Sequence, residues 1–526
     1  MQDVSMSRWQ QLAAVLAIAA IIVGLSMLFR AERGLDIVHT EVDGIPVTVF
    51  QPRDAQPAPA VLIGHGFAGS RQLMQPFAVT LARNGYVAVT FDFPGHGRNR
   101  TPLAGTLGEP ERAEALLDSF SRVASYARSL PASDGRLATL GHSMAGDILV
   151  RYADIDPDVD AAVAVSPYLS RELGAEGQRN LLFIYGEYEP AMILDQGREA
   201  VAALAGKSPE QIELAVTYAA TQSDPDGLTT DGPSAGNARR MIIADGVEHI
   251  GVLYSAVSQR AALDWINRVY GRTDDGSGII DARGPWLGLF FIGVVLLAWP
   301  LSTLLPRVAQ QPRGAGLGWR RLLPLAIAPA LLTPVILWPI PSDFLPIVIG
   351  DYIALHFGLY GLLTLAGLWL LGERPASLWQ GVSGGALLLA VIAVGIYETA
   401  AVTLPTDRFV AAYVPGSDRI GTVLVLFAGT LLWFTADEWL TRGGRARGAY
   451  ALTKLLFLVS LMLAVVLNLN ELFFLVIIIP AILALFIIYG LFSGWIYRRT
   501  NHPLVAAVTS ALAFASAIAV SFPVVG

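Results

Sequence analysis

Beyond Trp286 the chain stops reading as a water-soluble protein. Apolar stretches follow one another at 286–305, 322–341, 351–371, 382–403, 420–440, 452–468, 472–496 and 504–523. Each is close to the ~20 residues a helix needs to cross a bilayer. Backbone N–H and C=O groups find no water in hydrocarbon, so such stretches are confined to helices that satisfy them internally. About eight spans are therefore expected over 286–526, an all-α transmembrane domain. Pro324, Pro329, Pro334, Pro339 and Pro341 make the second span irregular, which puts an error of one on the count. A further apolar run at 12–29 is followed by Phe29-Arg30-Ala31-Glu32-Arg33, with no small-residue cleavage pattern. It reads as an uncleaved signal anchor within residues 1–34, in preference to a cleaved signal peptide. The composition agrees: 54% of residues are hydrophobic and the mean hydropathy is +0.52.

Arginine sets the expected orientation. Arg307, Arg313, Arg320 and Arg321 share one short loop, Arg442, Arg445, Arg447 and Lys454 a second, and Arg498 and Arg499 a third. These loops are two spans apart, as the positive-inside rule asks of cytoplasmic loops. Asp343, Asp407, Asp418 and Glu471 fall mostly in the alternating ones. The first helix then has its N-terminus inside, although Arg30 and Arg33 pull the other way. The region between the first and second spans lies outside the cytoplasm. Lysine is represented only by Lys207 and Lys454, which points to a GC-rich bacterial genome and hence to a bacterial inner membrane.

That intervening region, 35–272, is polar enough to fold in water, and a flexible linker at 273–285 ends it. Short buried-strand patterns recur at 59–63, 86–91, 137–140, 160–166, 180–185 and 238–244, with helical patterns at 71–84, 110–129 and 252–270. Alternation of this kind predicts a mostly parallel sheet with helices on both faces. The third strand pattern, Leu137-Ala138-Thr139-Leu140, runs into Gly141-His142-Ser143-Met144-Ala145-Gly146. This is close to G-x-S-x-G, in which a serine occupies a sharp strand-to-helix turn with its hydroxyl exposed. Ala145 replaces the last glycine. Upstream, the strand at 59–63 ends in Gly64-His65-Gly66-Phe67-Ala68-Gly69-Ser70, where an oxyanion loop is expected. The backbone N–H groups of Phe67 and Met144 are the expected donors.

These motifs, with Asp92-Phe93-Pro94-Gly95-His96-Gly97-Arg98 between them, resemble the α/β-hydrolase superfamily of serine esterases and lipases over residues 35–272. The resemblance implies a Ser–acid–His triad in that chain order. Its acid usually lies three residues after the glycine that ends the next-but-one strand, which lands on Glu189. Most relatives carry Asp there. Glu187 is the alternative acid and Asp195 a third choice. His249, in Asp245-Gly246-Val247-Glu248-His249, alone among the seven histidines follows the acid at the required loop-to-helix position. Ser143 would be the nucleophile, His249 the base and Glu189 the group that orients it. His65 and His142 are expected to orient loops beside the site, His96 to pack in its turn and His39 to lie on the surface.

The function expected from this is hydrolysis of carboxylic esters, lipid-like or amphiphilic, through an acyl-serine intermediate. Transacylation or peptidase action through the same triad is the alternative, and a non-catalytic transporter or sensor with a hydrolase-like binding domain another. No cofactor is implied. Cysteine is absent and no His, Asp or Glu cluster has zinc-like spacing, so no metal is expected. A net charge of −7 gives no sign of nucleic-acid binding. The expected partners are the ester and the bilayer, and nothing in the sequence fixes an oligomeric state.

One segment of the membrane part has its own resemblance. Ala436-Asp437-Glu438-Trp439-Leu440-Thr441-Arg442 and Gly494-Trp495-Ile496-Tyr497-Arg498-Arg499-Thr500 are similar to segments of the CPBP (CAAX-protease-like) intramembrane proteases. That family activates water with histidines that follow. Here Ser510 stands where the last would be and only His502 lies nearby, so protease activity does not carry over. Asp437 and Glu438 are expected to pair with Arg442 or a neighbouring helix. Asp351, His356 and Glu398 are expected to line a cavity or to pair with one another.

Overall fold

A computed structural model describes residues 6–53, 56–105, 109–171, 173, 180–219, 236–272, 276, 278–373 and 378–526. The chain forms two compact units. One holds Met1–Val23, Leu289–Pro405 and Tyr413–Phe522, and the other holds Gly24–Gly288, Thr406–Ala412 and Pro523–Gly526.

The second unit is built on a nine-stranded sheet: β1 (Leu35–Val42), β2 (Ile45–Pro52), β3 (Ala58–Gly64), β4 (Val87–Phe91), β5 (Ser133–His142), β6 (Val159–Val165), β7 (Leu181–Gly186), β8 (Thr217–Ala219) and β9 (Ala238–Ala244). Their order is β1-β2-β4-β3-β5-β6-β7-β9-β8. From β4 through β9 neighbouring strands are parallel, while β1, β2 and β8 are antiparallel to their neighbours. Strands of a parallel sheet are covered on both faces, which is why they read as continuous apolar runs. In β3, Ala60 and Leu62 enter one core with Leu116, Phe120 and Leu149. Val61 and Ile63 enter the other with Phe77, Leu263 and Ile266. After the N-terminal helix α1 (Arg8–Ala31), the covering helices are α2 (Gln75–Arg83), α3 (Pro110–Ser129), α4 (Met144–Ile155), α5 (Ala191–Ala205) and α6 (Ala256–Val269). α3 and α4 supply residues to the first core, α2 and α6 to the second.

The β1–β2 hairpin was not among the expected strands. Its two-residue loop is Asp43-Gly44, with φ of 51° and 81°. Positive φ at both positions is the turn that matches the twist of the strands it joins. The Gly, Asp, Thr and Ser content of 221–237 predicts a loop there, and through residue 235 it falls outside the described residues.

Among the described residues nine helices are long and apolar enough to cross a bilayer: Arg8–Ala31, Gly284–Ser302, Trp319–Leu337, Gly350–Leu370, Gly384–Phe409, Ser417–Thr441, Ala449–Leu467, Phe474–Thr500 and Leu504–Ser521. The proline-rich span is one continuous helix that contains Pro324, Pro329 and Pro334. It stops before Pro339 and Pro341. In this unit Glu438 pairs with Arg442 at 2.8 Å, and Asp437 pairs with Lys454 of the following span. Ser493 bonds both Glu438 and Arg442. Asp351, His356 and Glu398 do not pair with one another. His356 Nε2 lies 3.0 Å from Ser460 Oγ, and Asp351 accepts the Tyr352 N–H at 2.8 Å. The reason is spacing: Asp351 and His356 are five apart on one helix, so they face different sides of it.

Candidate active site

The site is assembled where β3, β5, β7 and β9 end. Strand β5 stops at His142, and α4 starts at Met144. Ser143 makes the corner alone, with φ 51° and ψ −113°. A non-glycine residue with positive φ is held there by its surroundings. Its N–H donates to Val165 O at 2.9 Å, and its C=O accepts the Gly146 N–H at 2.9 Å. A Cβ on Gly141 would come within 2.5 Å of Ala145 O, and one on Gly146 within 2.5 Å of Pro167 Cβ. Both glycines are thus steric necessities. Ala145 is tolerated because the backbone facing its Cβ belongs to Gly64, where a second Cβ would lie only 2.8 Å away.

The loop after β3 crosses directly over this corner. A Cβ on Gly66 would meet His142 Nδ1 at 2.8 Å and Ser143 Cβ at 3.0 Å. Phe67 follows Gly66 and so sits beside Ser143. Met144 is the first residue of α4, where N–H groups have no intrahelical acceptor and the helix dipole favours negative charge. His65 fixes the loop. Its Nε2 accepts the Phe93 N–H at 3.1 Å, so Nδ1 carries the proton and donates to Gly66 O at 2.8 Å. Burial holds its imidazole below the ordinary value. Asp92, fully buried, accepts the N–H groups of Arg71 at 2.7 Å and Arg98 at 3.0 Å and pairs with the Arg71 guanidinium. It ties the loop after β3 to the loop after β4. His96 packs edge-on to Phe67, with ring centroids 5.9 Å apart.

The turn after β7 carries the acids. Glu189 N–H returns to Gly186 O at 3.3 Å, and Tyr188 N–H donates to Val247 O at 3.0 Å, joining this turn to the loop after β9. That loop delivers His249. Its Nδ1 lies 3.0 and 3.2 Å from the two carboxylate oxygens of Glu189, and its Nε2 lies 3.1 Å from Ser143 Oγ. The Glu189 side chain is wholly shielded from solvent. Glu187 points elsewhere and accepts the Gly246 N–H at 2.7 Å. Asp195 stands exposed on α5. Two further residues support the histidine. His142 Nε2 donates to His249 O at 2.9 Å, and burial, followed by the neighbouring His249, pushes its imidazole down to about 3. Glu248, which the motif reading passed over, accepts the N–H groups of Ile250 and Gly251 at 2.7 and 2.8 Å and so closes the turn behind His249. An acidic residue just before a Gly-containing turn was the available signal.

Two stretches remote in sequence complete this unit. Ala412 N–H donates to Ser70 Oγ at 2.9 Å, and Gln75 Nε2 donates to Arg408 O at 3.1 Å. Val524 exchanges backbone bonds with Gly95 and Leu103 at 2.9 and 2.8 Å. Among the described residues no three His, Asp or Glu side chains gather as a metal would require.

Parts of this chain are similar to known proteins. A family model described as serine aminopeptidase, S33, matches residues 55–223. Cutinase 2 of Thermobifida cellulosilytica is 30% identical over 121 residues, which is 23% of this chain and 44% of the cutinase. Cutinase cut1 of Thermobifida fusca is also 30% identical over 121 residues, covering 23% of this chain and 36% of that one. The chain thus spans under half the length of the curated relatives it matches. Among solved structures, a CIB-like hydrolase of Thermoplasma acidophilum aligns with 44% of this chain and 97% of its own, at a TM-score of 0.33 and 16% identity. A dienelactone hydrolase of Anabaena variabilis aligns with 44% of this chain and 98% of its own, at 0.30 and 15%. The family match and the sheet together make the part around Ser143 an α/β-hydrolase fold.

Proposed function

We propose that the protein is a membrane-embedded serine hydrolase that cleaves carboxylic esters of amphiphilic or lipid-like compounds. The observation that carries this reading is the unbroken line Glu189–His249–Ser143, at 3.0 and 3.1 Å, ending on a serine held in a strained corner. A serine hydroxyl is a weak nucleophile at neutral pH unless a base takes its proton. Here His249 Nε2 takes the proton as Ser143 Oγ attacks the ester carbonyl. Glu189 holds the proton on Nδ1 and stabilises the imidazolium that forms. The N–H groups of Phe67 and Met144 receive the negative charge of the tetrahedral intermediate. His249 then protonates the departing alkoxide, leaving an acyl-serine. Water, deprotonated by the same histidine, attacks it and frees the acid and Ser143.

The likeness to cutinases supports an ester as substrate. The description of the matching family as a serine aminopeptidase favours one second reading, cleavage of a peptide bond by the same residues. Purified chain assayed side by side on p-nitrophenyl esters of rising chain length and on aminoacyl p-nitroanilides separates the two. Fluorophosphonate labelling that vanishes in Ser143→Ala identifies the nucleophile. Labelling or ester turnover that survives that substitution would remove the proposal.

The proposed location is an inner membrane with the hydrolase unit outside the cytoplasm. With nine spans in alternation, residues 32–283, 410–412 and 523–526 share one side, and all of them belong to one compact unit. The arginine-rich loops fall on the opposite side, which the positive-inside rule makes cytoplasmic.

A further inference from the structure

A cavity of about 290 Å³ opens beside the loop that follows β3, and Ser143 does not line it. We propose that it binds a phosphate group, carried by a phospholipid headgroup or by a free phosphate ester. Three guanidinium groups, those of Arg71, Arg98 and Arg408, form its walls. Each meets one carboxylate: Arg71 pairs with Asp92, Arg98 with Asp407 at 2.5 Å and Arg408 with Glu32 at 2.5 Å. A guanidinium offers five N–H donors in a planar fork, so one carboxylate leaves donors over. Asp92 in addition gives its oxygens to two backbone N–H groups, and Arg71 Nε donates to Thr48 Oγ1 at 3.1 Å. Asp407 also lines the cavity, so what the wall offers an anion is the remaining guanidinium N–H donors. Desolvation first, and then the charges of Arg71, Arg408 and Arg98, hold the His39 imidazole below its ordinary value against the opposing Glu32.

Two further observations point to a ligand. Gln72 lines the cavity at 8% exposure, and its Oε1 has no hydrogen-bond partner among the described residues. A buried amide oxygen left so is costly, and the carboxamide can turn to offer its NH₂ to an anion instead. The cavity also stands where two spans end. Glu32 directly follows the helix Arg8–Ala31, and Arg408 lies in the last turn of Gly384–Phe409. Span ends reach the headgroup layer of a bilayer, where phosphate is the recurrent anion. Arginine forks match phosphate oxygens two at a time. Volume allows a phosphate with several carbons attached.

The test uses the full chain, purified in an uncharged detergent, and follows thermal unfolding. Glycerol phosphate and dihexanoyl phosphatidylglycerol are compared with sodium chloride at equal ionic strength and with dihexanoylglycerol, which lacks phosphate. A ligand that binds only the folded state raises the unfolding temperature with its concentration. The expected result is a rise of several degrees with a phosphate compound and none with the controls. The rise should vanish in the double variant Arg98→Gln/Arg408→Gln while fluorophosphonate still labels Ser143. A response to glycerol phosphate assigns a free ester, and a response to the phospholipid alone assigns a headgroup. If neither stabilises the parent, or if the double variant responds equally, the proposal is overturned. Should the double variant not fold, Gln72→Leu replaces it, and an undiminished response there has the same force.

Discussion

Replacing Glu189 by Gln should cost about four orders of magnitude in kcat while leaving the fold intact. The carboxylate lies 3.0 Å from His249 Nδ1 and is wholly shielded from solvent. In the transition state His249 carries a full positive charge. At 3 Å and an effective dielectric of ~20, that charge pair is worth about 5–6 kcal/mol. Each 1.36 kcal/mol on the barrier is a factor of ten, giving roughly 10⁴, the loss seen when a triad acid becomes its amide. Glutamine has nearly the same shape, so packing is preserved, but it carries no negative charge to stabilise the imidazolium, even where its amide oxygen accepts the Nδ1 N–H. Glu187→Gln is the internal control. Its carboxylate holds only the Gly246 N–H, an acceptor role the amide oxygen keeps, so a loss below tenfold is expected. The assay is kcat and KM on a soluble short-chain p-nitrophenyl ester, with circular dichroism to check folding. If Glu189→Gln retains activity within tenfold of the parent, or if Glu187→Gln is the more damaging, the geometry does not describe the working acid.

Other substitutions probe the same frame. Ser143→Ala should remove turnover and labelling, since alanine fits the corner but offers no nucleophile. Gly66→Ala should lower kcat about 10²–10³-fold with little change in KM, because its Cβ would push the Phe67 loop off His142 and Ser143; unchanged kcat refutes the placing of that loop. The His142 imidazole is depressed to about 3 in the fold against an ordinary 6.5, so the unfolded chain takes up its proton first. Its contribution is complete above pH 6.5 and is lost as pH falls toward 3. His142→Gln should flatten the fall of unfolding temperature over that window, and a slope equal to the parent's would contradict this. A reporter inserted at Gly314 should read cytoplasmic and one at Gly276 exported; both on one side would refute the alternation of spans.

Much of this was legible because the informative signals are local. Short apolar runs gave β3 to β7 and β9, since a sheet covered on both faces needs no alternation. The elbow glycines were readable because their Cβ atoms would collide with backbone a few residues away. Glu189 came from the superfamily resemblance, which implies an acid three residues after Gly186; the bonds Glu189 N–H to Gly186 O and Tyr188 N–H to Val247 O hold that residue in the turn. The β1–β2 hairpin was missed despite Asp43-Gly44, the dipeptide its turn requires. Other features were invisible for a physical reason. Lys454 as the partner of Asp437, Ser460 as the partner of His356 and Val524 as the partner of Gly95 are each set by tertiary packing across 17 to 429 positions. No periodicity records such choices.

The bonds from Val524 to Gly95 and Leu103 bear on how the protein is made. A ribosome supplies residues 35–272 long before residue 524, so the hydrolase unit emerges with an open edge at the loop after β4. That edge closes only once Pro523–Gly526 has been made, after the eight long apolar helices that lie between residues 284 and 521. The unit that carries Ser143 is thus discontinuous in the chain, and its last backbone bonds are among the last that translation makes possible.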